Sequence, residues 1–228
     1  GGLFVNKEEI LAFLTDEKTR HIFKALYPGK VDENIKRYQE IVQKFGQVFG
    51  ERDIFLFSSP GRTEISGNHT DHNYGKVLAG SINLDCIGAA AKNNTGIIRI
   101  VSETFSQDFT ISLDKLEQGE NHAGTEELVK GLVKGFQKFG FQIGGFDLYT
   151  SSTVISAAGV SSSAAFEMLI CTILNEFYNE GKLNIVQYAH IGQFAENQYW
   201  DKASGLLDQM ACAAGGLVML DFKNPNEP

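Results

Sequence analysis

The stretch from Ser161 to Tyr178 constrains this chain most, because Phe166, Leu169, Ile170, Ile173, Leu174, Phe177 and Tyr178 recur at spacings of three and four. That spacing predicts a helix with a broad apolar stripe, buried along one side. It follows a strand-like run, Leu148 to Val154, and a turn through Ala157-Ala158-Gly159. The helix opens with Ser161-Ser162-Ser163-Ala164-Ala165, so free backbone N–H groups, the positive end of the helix dipole and three hydroxyls meet at one point. Such a point suits a phosphate, and the plainer alternative is that a serine caps the helix. Neither G-x-x-x-x-G-K-[ST] nor G-x-G-x-x-G occurs, so neither of those loops accounts for nucleotide binding.

Around this unit, helices and strands alternate irregularly. Residues 7 to 49 carry helical spacing, through Ile10, Phe13 and Leu14 and then Ile35, Tyr38, Ile41, Val42, Phe45, Val48 and Phe49. Asp53 to Ser59 reads as a strand that Pro60-Gly61 ends in a turn. Further strands are expected at 77–87, 97–102, 109–113, 146–153 and 217–222. Helices are expected from Thr125, from Asn184 to Trp200, and from Leu206 to Ala214, where Gly215-Gly216 stops the last. The fold class expected is α+β, a mixed sheet packed against helices.

With 43% hydrophobic and 21% charged residues, the 228-residue chain can bury one substantial core or two small ones. A net charge of -8 argues against broad attraction to nucleic acid or an anionic membrane, so a polyanionic ligand must be met by specific donors. Cys86, Cys171 and Cys212 are widely spaced among apolar or small neighbours and are expected to be buried reduced thiols. With no membrane span or signal-peptide layout in the sequence, a cytoplasmic location is expected. The opening Gly1 reads as an added remnant, and Asn224 to Pro228 as an interrupted loop.

A second polar concentration runs from Ser59 to Asn73, with Arg62, Asn68, His69, Asp71 and His72 in a stretch punctuated by Gly61 and Gly67. This composition suits hydrogen bonding to several hydroxyls, with a polar turn after a strand as the alternative. A metal site from His69, Asp71 and His72 matches no zinc spacing.

Pro60-Gly61-Arg62, then Gly67-x-His69-Thr70-Asp71-x-Asn73, and downstream Gly159-x-Ser161-Ser162-Ser163-Ala164 resemble, in order and spacing, the first two motifs of galactokinases in the GHMP kinase family. Glu196, with Asp208 twelve residues on in Gly205-Leu206-Leu207-Asp208-Gln209, is similar to the family's acidic pair. The resemblance covers most of Ser59 to Phe222. It implies a GHMP kinase N-terminal domain over 1–228, of the ribosomal protein S5 domain 2-like fold, that serves ATP-dependent phosphorylation of the anomeric hydroxyl of galactose or a related sugar.

By the same resemblance, Arg62 lies near the transferred phosphoryl group and Asp208 faces the attacking hydroxyl, either as a general base or as an ionised group that orients it. Asn68, His69, Asp71 and Gly205 are implied to hold the sugar; Gly159, Ser161 and Ser162 to contact the ATP phosphates; and Ser163 and Glu196 to hold Mg²⁺. Asn68 stands where the family usually has Glu, Glu64 and Ser66 where it has Asn and an aliphatic residue, and Ala157 and Ala158 where it is richer in glycine. A different hexose derivative, or a non-catalytic sugar sensor, are the readings set beside galactose. The family's glycine-rich third motif is not in 1–228, so the implied partner is the C-terminal half of the same protein. Without that half the chain is expected to be inactive or very weak.

Overall fold

The computed structural model describes residues 6–67, 73–119, 124–154 and 159–224. Its architecture is α+β, as expected. Among the described residues one six-stranded mixed sheet has the order β1 (Phe55–Ser66), β2 (Lys76–Lys92), β5 (Phe146–Ser152), β3 (Ile97–Ser102) and β4 (Gln107–Ser112), with β6 (Leu217–Asp221) also pairing with β2. The pair β3 and β5 is parallel and the other pairings are antiparallel. Three helices, α1 (Lys7–Thr15), α2 (Glu17–Leu26) and α3 (Val31–Phe49), pack on one face. The other face is covered by α4 (Thr125–Lys138) and α5 (Ser162–Tyr178). Behind and beside them lie α6 (Ile185–Tyr199) and α7 (Leu207–Ala214).

Each boundary has a local cause. Asn6 caps α1 by accepting from Glu9 N at 3.0 Å, and Asp16 ends α1 and caps α2. Asn184 and Gln187 form a reciprocal capping box at the start of α6. Along β2 the side chains alternate: Cys86 and Ala90 enter the core under α5, whereas Ile87, Ala89 and Ala91 enter the core under α3. Both faces of this strand are covered, which explains its continuous run of apolar residues. A fully buried Leu or Ile contributes about 1.5–3 kcal/mol, and α5 supplies Leu169, Ile170, Ile173 and Leu174, all with no exposed surface.

Two strands differ from expectation. The second runs on to Lys92 through Gly88-Ala89-Ala90-Ala91, residues of low strand propensity. Small side chains are needed there because a Cβ on Gly88 would meet Leu148 Cδ1 at 2.6 Å. Likewise Pro60-Gly61 does not end β1, which continues to Ser66. The strand lies at the sheet edge and shifts register between Pro60 and Arg62, a setting in which proline is tolerated. All three cysteines are buried and free. Among the described residues no helix is long and apolar enough to cross a membrane.

Candidate active site

The register shift in β1 aims Arg62 at the start of α5 and at α7. Gly61 makes the approach possible, since a Cβ there would sit 2.9 Å from the carbonyl oxygen of Val160. The Arg62 side chain, 6% exposed, donates from Nε (3.0 Å) and Nη2 (2.7 Å) to Asp208 Oδ1, and from Nη1 to the carbonyl of Gly159 at 2.6 Å. One guanidinium therefore ties the loop before α5 to the first turn of α7. Asp208 is partly exposed, and its Oδ2 has no hydrogen bond among the described residues.

The serine-led helix start is not a side-chain cap. Ser161 sits at the N-cap position in the left-handed region (φ 56°, ψ 55°) and makes no capping bond. Its Oγ is buried without a partner, and Gly159 just before it is also left-handed, at φ 72°. Left-handed residues leading into a helix turn successive N–H groups inward and form an anion-binding concavity. A residue other than glycine held in this region carries about 1 kcal/mol or more of backbone strain, and strain of this kind clusters at ligand clamps.

Glu196 is 1% exposed, so it is not a surface residue of α6. Its Oε1 accepts from Lys202 Nζ at 2.6 Å and from Ser163 Oγ at 3.5 Å. Its Oε2 accepts from Ser204 Oγ and from Gln209 Nε2, the latter at 3.1 Å. Glu167, one turn along α5 from Ser163, is fully buried behind this pair. Burial pushes the Glu167 carboxyl well above the usual carboxylate range, and the charge of Glu196 adds in the same direction. Gly192 leaves room for this packing, since a Cβ there would meet both Gln209 Cγ and Glu167 Oε2 at 2.7 Å.

Five of the sequence-expected residues, with Gln209 added by the structure, form a closed circuit. It passes from Gly159 through Arg62 to Asp208, along α7 to Gln209, across to Glu196, and through Ser163 back to the loop. Gly205 lies half-buried just before α7. Asn68, His69 and Asp71 lie outside the described residues, as do His72, Ala157 and Ala158. The donor set suits a hard divalent cation only in part. A hydroxyl and a carboxylate oxygen already facing an ammonium fit Mg²⁺ if phosphate oxygens supply further ligands. Among the described residues no group of three or more His, Cys, Asp or Glu could hold a metal by itself.

Sequence reasoning missed the surroundings of this circuit. Beside Ser162 and Ser163 opens a cavity of about 270 Å³ walled by Phe105, Leu128, Phe166 and Trp200. Phe166 is read from its spacing as core alone, yet it lines this wall. Gln209 and Glu167 were missed too, because their burial becomes visible only once the helices are packed together.

Comparison with known proteins places relatives beside this chain. Residues 43–92 match the galactokinase galactose-binding signature, and residues 127–216 match the N-terminal domain of GHMP kinases. The galactokinase of Clostridium tetani is 31% identical over 182 residues, covering 80% of this chain and 46% of that protein. The galactokinase of Streptococcus mutans is 35% identical over 191 residues, covering 81% and 48%. The chain spans about half the length of the curated relatives it matches. The crystal structure of Lactococcus lactis galactokinase complexed with galactose superposes with a TM-score of 0.77 at 30% identity, covering 82% of this chain and 50% of that one. Methanococcus jannaschii mevalonate kinase shares the fold, with a TM-score of 0.63 at 16% identity.

Proposed function

Since the chain belongs to the galactokinases of the GHMP kinase family, we propose that its protein transfers the γ-phosphoryl group of ATP to the anomeric hydroxyl of galactose or a close relative. The activity is that of the whole protein, with a C-terminal half as the partner of 1–228. The observation that carries the reading is the closed circuit of contacts, which brings Arg62, Asp208, Glu196 and Ser163 to one loop.

Phosphoryl transfer asks for positioning and charge neutralisation more than for covalent chemistry. In this reading Asp208 offers its free Oδ2 to the sugar hydroxyl that attacks, and Arg62 holds the other oxygen. Arg62 also sets the distance between that hydroxyl and the phosphate loop, because it bonds both ends. The concavity at Gly159, Ser161 and Ser162 takes the phosphate oxygens, and the unpartnered Ser161 hydroxyl is one donor for them. Ser163 and Glu196 would hold Mg²⁺, which when bound neutralises charge on the β- and γ-phosphates. The cavity walled by Phe105, Phe166 and Trp200 opens beside the same serines, and its flat apolar walls suit the adenine ring.

Asn68, His69, Asp71 and Gly205 complete the reading as the sugar-holding set. The amide at position 68 favours a second substrate reading with the same chemistry. Unlike a carboxylate, Asn68 both donates and accepts, so it suits a sugar whose substituent at that point is itself an acceptor. Sugar-dependent ADP release across a panel of hexoses and hexose derivatives tests both. Turnover of galactose above the panel supports the first reading, and turnover of a modified hexose above galactose the second. Silence toward every sugar would sink the kinase assignment.

A further inference from the structure

Gln209 is 1% exposed and lies between two buried carboxyl groups. Its Nε2 donates to Glu167 Oε2 at 3.2 Å and to Glu196 Oε2 at 3.1 Å. A single amide with two N–H groups thus spans both acids, and each bond fixes the direction of the other. We propose that Gln209 is a positioning residue: anchored on Glu167, it clamps the inner oxygen of Glu196 so that the outer oxygen faces Ser163 and the phosphate-binding loop.

The division of labour between the two oxygens of Glu196 supports this. The inner one is held by Gln209 and Ser204, the outer one faces Ser163 and Lys202. Without the amide, the inner oxygen keeps only the hydroxyl of Ser204, a residue of the loop before α7, and the Ser163 alignment loosens. There is little slack to absorb such a change. Gly192 already lies too close to Gln209 and Glu167 to carry a side chain, so the three groups are packed in a fixed relation.

Gln209 is also the next residue after Asp208 in the first turn of α7. Asp208 is bound toward Arg62 and Gln209 toward Glu196, so one rigid turn sets the distance between the hydroxyl-facing group and the cation-facing group. The clamp would act on the metal-dependent part of the site and leave sugar binding alone.

This rests on the metal-holding role proposed for Glu196, and the test separates the two. In the whole protein, Mn²⁺ binding in the presence of ADP is measured by electron paramagnetic resonance, alongside galactose binding without nucleotide. Gln209→Met keeps the length and removes the amide. It is expected to weaken Mn²⁺ binding about 10- to 100-fold, as loss of a group that orients a metal ligand does, with galactose affinity unchanged. Glu167→Gln, which keeps an acceptor for the amide, is expected to retain most of the Mn²⁺ affinity. Should Gln209→Met fail to fold, Gln209→Asn, one methylene too short to span both acids, is expected to give the same loss. If Glu196→Gln weakens Mn²⁺ binding and a folded Gln209 variant does not, the clamp is wrong and the site reading stands. If Glu196→Gln itself leaves Mn²⁺ binding intact, the site reading falls and the clamp with it.

Discussion

Two buried acidic clusters lie on opposite faces of the same sheet, and they are finished differently. Under α3, Asp85 accepts from Tyr27 (2.5 Å) and Ser58 (2.6 Å) at Oδ2 and from Arg37 (2.5 Å) at Oδ1, while Arg37 also donates to the carbonyls of Asp85 and Ser151. Among the described residues both carboxylate oxygens of Asp85 are filled, and the buried unpartnered atom of these side chains is a donor, Arg37 Nε. A cleft of about 480 Å³ opens beside this cluster, but the Tyr27, Ser58 and Asp85 groups that line it are already spent on one another. Across the sheet, Glu167 Oε1, Gln209 Oε1 and Ser161 Oγ are buried without partners among the described residues, and Asp208 keeps an oxygen free of them. Buried polar atoms are costly to leave unmade. A cluster that closes on itself holds a fold together, whereas one left open holds capacity for something else.

That contrast breaks most sharply at Asp208. Asp208→Asn keeps an acceptor for Arg62 and removes the charge facing the hydroxyl, so kcat for sugar-dependent ADP release is expected to fall by about 10² to 10⁴. The melting temperature should fall only modestly, since Arg62 keeps an acceptor while losing its counter-charge, and sugar should still bind by calorimetry. Retained turnover would mean that Asp208 belongs with the closed kind of cluster after all.

The opposite pattern is expected at Arg37. Arg37→Ala strands the Asp85 carboxylate in a site where the pair's side chains are 12% and 5% exposed, which costs about 3–5 kcal/mol. Urea titration of the whole protein reads that loss, while kcat per folded molecule stays at the wild-type value. A large drop in kcat with stability intact would erase the distinction between the two faces.

The sequence made the open cluster's position legible better than its wiring. The apolar stripe of α5 and the cap at Asn184 follow from spacing and side-chain chemistry alone, and β3 is found at 97–102 as expected. The strand through Gly88 to Ala91 is not, because glycine and alanine have low strand propensity and the need for Gly88 against Leu148 shows only in the packing. Arg62 and Asp208 are 146 residues apart, and no periodicity joins them. Only the ordered resemblance to galactokinase motifs placed them together. Glu167 and Gln209 lay outside those expectations, since a buried polar residue on a helix looks like a solvated one until the packing around it is known.

Ser161 sharpens the comparison at a finer scale, because its left-handed backbone stores strain at the start of α5, beside the open cluster. Ser161→Gly removes the strain and the hydroxyl together. A stability gain of about 0.5–1 kcal/mol is expected, the relief being partly offset by the freer unfolded chain. Affinity for the nucleotide should fall about tenfold, in line with a lost hydrogen bond to a charged group. Ser161→Ala loses the hydroxyl and keeps the strain, so it should show the weaker binding without the gain. If both variants bind nucleotide as wild type does, the serine is not a phosphate contact.

The smallest effect belongs to the closed face and appears only in alkali. Burial, and then the charge of Asp85, push the Tyr38 phenol up to about 12, and burial pushes the Cys86 thiol up to about 11. In the unfolded chain these groups ionise near 10 and about 8.5. Both folded values are raised, so the folded state holds its protons longer. The stability this contributes is fully present below the unfolded values and is lost as pH rises through the folded ones. The urea midpoint is therefore expected to decline from about pH 9 upward, with the share owed to Tyr38 falling between about pH 10 and pH 12. Tyr38→Phe removes that share: the variant starts less stable, having lost the contact to Tyr27, and should lose less in the upper part of the window. Parallel curves for the two proteins would show that Tyr38 is not held protonated by its burial, and the closed cluster would then owe nothing to its desolvated phenol.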